Sequence, residues 1–408
     1  MAKRIGALAF IFVFTSIAWI ILGGVTTTRT NEQDIKLKTA VSQLWGTAQQ
    51  QYAPYVYYQT KEEKKVTTYT NNEKIVEIKV ETTDHPINIA GSDVAVDLKL
   101  EHRKKGLLWY STYRVKYRAR YLIGNGLDQD REIFFEYYFP TSQGVYDNFS
   151  FAVDGIKAKE IKPEAGKVRY ALNIGFGQTR QVEIAYESQG MDEWWYIFGS
   201  DVSHIQNFNL TMTTDFDRID FPENSISPTG KEQTAVGWKL VWHYTDLISG
   251  IQIGMKMPQK INPGPFVSRI TFFAPVSLFL FLFLMFIITN LKPIKIHPMN
   301  FFFVCAAFFS FHLLLAYLAD HVDINAALII SSIVSIFLVI SYMRLVTGMK
   351  FAFLETGISQ FVYLVLFSYT FFLEGYTGLA ITILCIATLF MIMQMTGKVD
   401  WEKQFGKK

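Results

Sequence analysis

Asp192-Glu193 followed by Trp194-Trp195-Tyr196 is the stretch that comes nearest to a working site, two carboxylates beside an aromatic platform. Glycoside hydrolysis needs two carboxylates facing one another across a cleft, and adjacency in sequence does not supply that. Aromatics in β-rich segments more often fill a core or anchor at a membrane interface. Asp215, Asp217 and Asp220 space three more carboxylates, without the turn glycine and closing glutamate of a calcium loop, so a polar strand end is the plainer reading. Arg114, Lys116, Arg118 and Arg120 alternate with Tyr113, Val115, Tyr117, Ala119 and Tyr121, which makes one strand face basic and the other apolar. The basic face is a candidate surface for phosphate or anionic lipid headgroups. Its plainer reading is a solvated face whose charges meet acids such as Asp97, Glu132, Glu136 or Glu183 across the ladder.

Other chemistry finds little footing. No G-x-S-x-G, H-E-x-x-H, P-loop or Rossmann fingerprint occurs. His85, His204 and His243 are scattered, His102 falls in a basic turn, and no pair has metal-ligand spacing. Cys305 and Cys385, the only cysteines, lie in apolar runs, which argues against a disulfide scaffold, a redox pair or a thiolate zinc site. No catalytic residue, cofactor or metal is therefore expected. With 39 Lys+Arg against 36 Asp+Glu the chain is too balanced for a nucleic-acid binder.

What must position these residues is legible from hydropathy. Only 18% of the 408 residues are charged, against about 25% in an average soluble protein. The apolar residues gather in six runs that approach the roughly 20 residues of helix needed to cross a bilayer: Ile5–Gly24, Ile270–Leu291, Phe301–Leu318, Asn325–Ile340, Phe353–Leu373 and Thr377–Met395. Lys3 and Arg4, Lys292 and Lys295, Arg344 and Lys350, and Lys398, Lys403, Lys407 and Lys408 all fall on one side, whereas the two short opposite turns carry Asp320, Asp323 and Glu374 but no Lys or Arg. The positive-inside rule then puts both termini in the cytoplasm. The first run is too long for a signal-peptide core and lacks a cleavage site, so it reads as an uncleaved anchor.

Between the first and second runs lies one large outer domain, nearly neutral in net charge. Asn31–Gln51 continues as a helix with a stripe of Ile35, Leu37, Val41, Leu44, Trp45 and Ala48, stopped by Pro54. After it the period changes to two. Strands are expected at 75–80, 94–100, 113–121, 133–139, 148–153, 168–171, 181–186, 208–216 and 238–244, separated by turns such as Asn125-Gly126 and Asp154-Gly155. The expected fold is an α+β membrane protein with six transmembrane helices, one N-terminal and five C-terminal, around a β-rich, sandwich-like extracytoplasmic domain. The domain boundaries are an anchor at 1–25, the periplasmic domain at 26–269, a five-helix bundle at 270–396 and a basic cytoplasmic tail at 397–408.

Within the bundle, ionisable groups mark ion paths when they occur. His312 is the candidate intramembrane polar site, with a lone neutral histidine bonded to a neighbouring helix as the plainer reading. Glu355 stands one turn from the interface. Ser331, Ser332 and Ser335 suit close helix packing. Asp320 and His321, at an outer turn without Lys or Arg, are candidates for docking the domain to the bundle.

Leu291-Lys-Pro-Ile-Lys-Ile-His297-Pro298-Met299-Asn300, then Leu313–His321 and Ala326–Ser332, resemble the CreD family of bacterial inner-membrane proteins. Gly397-Lys-Val-Asp400-Trp401 is similar to that family's ending, Trp45-Gly46 with Gln49 and Pro54 to its post-anchor segment, and Lys105–Tyr113 to its lead into a strand. The chain departs from the pattern in lacking a second glycine after Gly46 and in the Pro-rich entry at 257–266, which suggests a distant branch. The resemblance implies an envelope-stress or envelope-integrity protein, induced by a two-component system and linked to tolerance of cell-wall antibiotics and colicins, with no catalytic residue to transfer. The expected partners are the lipid bilayer and an envelope protein or cell-wall component. The expected action is binding by the periplasmic domain; the alternative is a transporter or flippase-like path through the bundle, gated by that domain. A sugar or lipid sensor would need Trp194, Trp195 or the Arg114–Arg120 face to line a cleft.

Overall fold

The computed structural model describes residues 2–70, 73–292 and 294–399. The chain divides into a helical unit, comprising the residues up to Lys36, Gly106–Leu108 and those from Ile261 onward, and a β unit of Leu37–Lys105 and Trp109–Lys260.

Helix α1, Ala2–Trp45, is a single helix of 44 residues. Its apolar run hides its few hydroxyls by bonding them back to its own carbonyls, Thr15 to Ile11 at 2.6 Å and Thr26 to Leu22 at 2.8 Å, the local solution open to Ser and Thr where water is absent. The helix stops at Gly46 (φ +116°), not at Pro54 as the stripe suggested. Gln49–Tyr52 instead forms strand β1. A left-handed residue after a helix favours glycine, and here a Cβ would come within 2.5 Å of the Gln189 carbonyl oxygen.

The helical unit continues with α2 (Pro263–Leu291), α3 (Pro298–Leu318), α4 (Ile324–Thr347), α5 (Met349–Phe372) and α6 (Thr377–Thr396); with α1, six helices among the described residues are long and apolar enough to cross a membrane. Four of the five C-terminal spans begin earlier than their apolar runs because capping residues precede those runs. Pro263 and Pro298 sit in the first turns of α2 and α3, and Asp323 Oδ1 accepts from Asn325 N at 2.9 Å to open α4. Gly348 alone (φ +89°) turns α4 into α5. The hub is α2, buried through most of its length, while α1 and α6 are largely exposed. Trp19, Leu278, Phe281, Phe308, Phe311, Leu315 and Leu364 form the core.

In α5 the turns Ala352–Gly357 and Phe361–Leu366 are π-helical. Wider turns release carbonyls from the regular ladder, and α2 supplies a donor: the Ser277 hydroxyl bonds the Tyr363 carbonyl.

Among the described residues the β unit holds fifteen strands: β1, β2 (Tyr55–Thr70), β3 (Glu73–Pro86), β4 (Gly91–Lys105), β5 (Leu108–Gly124), β6 (Arg131–Tyr138), β7 (Tyr146–Val153), β8 (Ile156–Lys157), β9 (Lys167–Ile174), β10 (Thr179–Met191), β11 (Glu193–Ile197), β12 (Ser203–Thr214), β13 (Gly230–Gln233), β14 (Trp238–Ser249) and β15 (Ile253–Lys256). They form three sheets, ordered β13-β14-β12-β4-β5-β10-β7-β8, β3-β2-β6-β9 and β1-β11-β15. Two pairings are parallel, β12 with β4 and β1 with β11. Each of the nine expected strands is present. His102 lies inside β4 rather than in a turn, since its strand runs on to Lys105.

All three sheets share one core. Tyr113, Val115, Tyr117, Ala119 and Tyr121 point into it from β5, meeting Phe135 and Tyr137 of β6 and Trp194 and Tyr196 of β11. Buried hydroxyls need partners, and Gln51 of β1 supplies one: its Oε1 accepts from Tyr137 at 2.6 Å and Tyr186 at 2.8 Å. Tyr117 and Tyr121 hydroxyls pair at 2.7 Å.

Candidate functional site

The three sheets leave a cleft of about 590 Å³ where they meet. Tyr55 and Val56 of β2, Ile87 and Ile89 after β3, Tyr196 of β11, Phe198, and His204, Ile205 and Phe208 of β12 line it. Its aromatic floor is rigid: Phe198 packs edge-on against Phe208 at 4.9 Å, and Tyr196 lies 5.5 Å from each. The loop after Phe198 is held by Gln252, whose Oε1 accepts from Phe198 N at 2.6 Å and whose Nε2 donates to Gly199 O at 3.2 Å. Val202 is 69% exposed on this loop, and His204 Nε2 meets Asp246 Oδ1 at 2.6 Å on β12 and β14. A preformed hollow with an aromatic floor and a polar rim that includes Asn88, Ser200, Asp201, His204 and Gln206 suits a small molecule or a peptide segment. Sequence reading did not find it, because its walls are 150 residues apart along the chain and only strand pairing joins them. The aromatic Phe198 before Gly-Ser-Asp was the one local signal.

Glu136 holds one wall in place. It is buried and lies opposite Tyr55 in the β2–β6 register. Tyr57 donates to it at 3.0 Å, Tyr138 at 2.9 Å and Lys167 at 2.7 Å. Burial works against its charge, yet the bonds from Lys167, Tyr138 and Tyr57 outweigh it and hold the carboxyl below its ordinary 4.5. Burial and the Glu136 charge together push the Tyr57 hydroxyl up to about 12.

The basic strand face is charge-paired throughout. Arg114 meets Glu101 at 2.9 Å, Lys116 meets Glu187 at 2.9 Å, Arg118 meets Asp97 at 3.5 Å and Arg120 meets Asp93 at 2.8 Å. Glu101, Asp97 and Asp93 recur every fourth residue on β4, which places them along one face of the neighbouring strand. Beside Arg118 and Arg120 a trough of about 440 Å³ crosses to Ser150, Ala152, Lys157 and Glu183. An anion entering it competes with acids already in place. Trp194 is fully buried, whereas Trp195 is half-buried, packing one face on Gly254 and donating to Glu193 Oε2 at 2.9 Å, and neither lines the cleft.

In the helical unit, His312 is buried among Trp19, Phe308 and Phe311, with Nδ1 unpartnered. Asp320 is paired with Arg29 of α1 at 2.8 Å, and the same guanidinium donates to Ala316 O at 3.0 Å. His321 is exposed beside it. His297 caps α3, its Nδ1 accepting from Met299 N at 3.2 Å, with Pro298 in the first turn and Met299 exposed. Asp400 and Trp401 lie outside the described residues. Lys292 pairs with Glu355. Sequence reading missed Gln360: fully buried, it donates to Ser335 Oγ at 2.9 Å, which in turn donates to Ala307 O at 2.7 Å, tying α5 to α4 and α3. Among the described residues no group of three or more His, Cys, Asp or Glu could hold a metal ion.

No curated protein matches the chain. Among solved structures, a nutrient-binding protein candidate from Legionella pneumophila is similar at 10% identity and a TM-score of 0.30, over 48% of this chain and 73% of that one. An M1 zinc metallopeptidase from Deinococcus radiodurans is similar at 9% identity and a TM-score of 0.26, over 41% and 42%. The family model described as inner membrane protein CreD matches residues 238–402. That segment carries β14, β15 and all five C-terminal helices, so over it the chain is similar to the CreD family of inner-membrane proteins, as the residues around His297-Pro298-Met299 implied.

Proposed function

We propose that this protein is a non-enzymatic, multi-pass inner-membrane protein that supports envelope integrity by binding through its β unit. In this reading both termini are cytoplasmic and the β unit is periplasmic, which the distribution of Lys and Arg among the short loops supports. The observation that carries the binding role is the preformed cleft floored by Tyr196, Phe198 and Phe208. The void bordered by Phe281, Met285, Val304, Met343 and Thr356 in the helical unit is by contrast too small for a water molecule. The partner is an envelope protein or cell-wall component that places an apolar group in the cleft.

The transport alternative rests on a different observation. Ser331, Thr356 and Gln360 each keep a buried polar atom without a partner, and such groups inside a bilayer mark paths when they converge.

A deletion strain scored for envelope permeability separates the two. Complementation uses the full chain carrying either Val202→Trp, which fills the cleft mouth, or Gln360→Leu, which removes the bundle's central amide. Binding predicts that only Val202→Trp fails to rescue at equal membrane abundance. Failure of Gln360→Leu alone moves the function into the bundle.

A further inference from the structure

Helices α1 and α2 leave between them a groove of about 330 Å³ whose walls are Ile5, Leu8 and Phe12 on one side and Phe279, Phe283 and Phe286 on the other. The groove is closed at one end, where the rings of Phe12 and Phe279 meet edge-on at 6.0 Å. Its other end is polar. Arg4 stands one turn before Leu8 and Thr289 one turn beyond Phe286, and Arg4 Nη2 donates to Thr289 Oγ1 at 3.1 Å. The guanidinium lies over the Phe301 ring at 5.8 Å, and its Nε is buried without a partner. A guanidinium presents a planar fork of donors matched to phosphate. Here one arm of that fork is used and the edge bearing Nε is unmet.

We propose that this groove binds an anionic phospholipid, one acyl chain lying against Leu8 and Phe283 and the phosphate meeting Arg4. Three features on the helices select that occupant. The walls are apolar, as an acyl chain requires. The polar contact at the open end is made by the Arg4 guanidinium, and basic pockets between membrane helices are where acidic headgroups settle. A helix from a second copy is the wrong shape: it is about 10 Å thick, and the Phe12–Phe279 contact blocks its passage after roughly 10 Å of groove, two turns of α1.

The test uses the full-length protein in nanodiscs of phosphatidylglycerol or of phosphatidylcholine, followed by native mass spectrometry of the lipids retained after release. The wild-type chain should hold phosphatidylglycerol about fivefold more than phosphatidylcholine. Arg4→Gln should abolish that preference while still retaining lipid, and Arg4→Lys should keep it. Ala9→Trp, whose indole enters the groove, should lose both lipids; if that variant does not fold, Leu8→Phe narrows the same groove and makes the same point. Equal retention of the two lipids by the wild-type chain, or a preference that survives Arg4→Gln, overturns the proposal. So does a change in subunit number, rather than in bound lipid, on filling the groove.

Discussion

Glu136→Gln tests whether the cleft wall depends on one buried charge. The substitution keeps the shape of the side chain, but Tyr57 donates to Oε1 while Tyr138 and Lys167 donate to Oε2, so the single amide oxygen can accept at only one of those two sites. What is lost is the charge-assisted part of three bonds, about 0.5–1 kcal/mol each. The Lys167 bond is discounted because that ammonium is 35% exposed and water takes its place. The expected cost is about 2 kcal/mol, which for a domain of this size lowers the melting temperature by roughly 4–8 °C. The loss carries a pH signature. Because the folded-state pKa of Glu136 lies below its ordinary 4.5, its stabilisation is fully present above that value and fades as the pH falls through the depressed folded-state pKa. Thermal melting of the full-length protein, followed by tryptophan fluorescence from pH 7 to pH 3.5, should show a gap between wild type and variant that is constant at the upper end and narrows below about pH 4.5. No gap at pH 7, or a gap that stays constant to the lowest pH, would refute the assignment of Glu136 as a charged anchor.

Two further outcomes follow from buried polar groups. Gln51→Leu leaves the Tyr137 and Tyr186 hydroxyls without their shared acceptor and should cost about 3 kcal/mol or more, seen as a lower melting temperature with loss of near-ultraviolet tyrosine dichroism. Arg29→Ala and Asp320→Ala should each loosen α1 from α3, and their effects should fall short of additive by about 1 kcal/mol; strict additivity in denaturant titration would mean that the 2.8 Å pair contributes nothing.

Local rules carried the sequence a long way. A bilayer leaves an isolated apolar run of 20 residues no option but helix, since every backbone donor must be met within the segment, and all six such runs are helices. Alternation at period two needs no partner to be recognised, so the face of β5 bearing Tyr113, Tyr117 and Tyr121 was legible as core before any sheet was known. The residues around His297, Pro298 and Met299 pointed to the family whose model matches residues 238–402 for the same reason, being contiguous. Where sequence failed, the deciding partner was distant. The stripe through Asn31–Gln51 continued helical, but Gln49–Tyr52 gains a ladder with β11 once Trp194 and Tyr196 are packed, and tertiary pairing outweighs so weak a local preference. Asp320 had no cation in its own turn, and only the packing of α1 against α3 gave it Arg29. Acids on both neighbouring strands of β5 were available to its four cations; the register between strands chose Asp93, Asp97, Glu101 and Glu187. The cleft exists only because three sheets meet around Tyr196 and Phe208. A hollow is a property of how surfaces fail to close, and no single segment carries it.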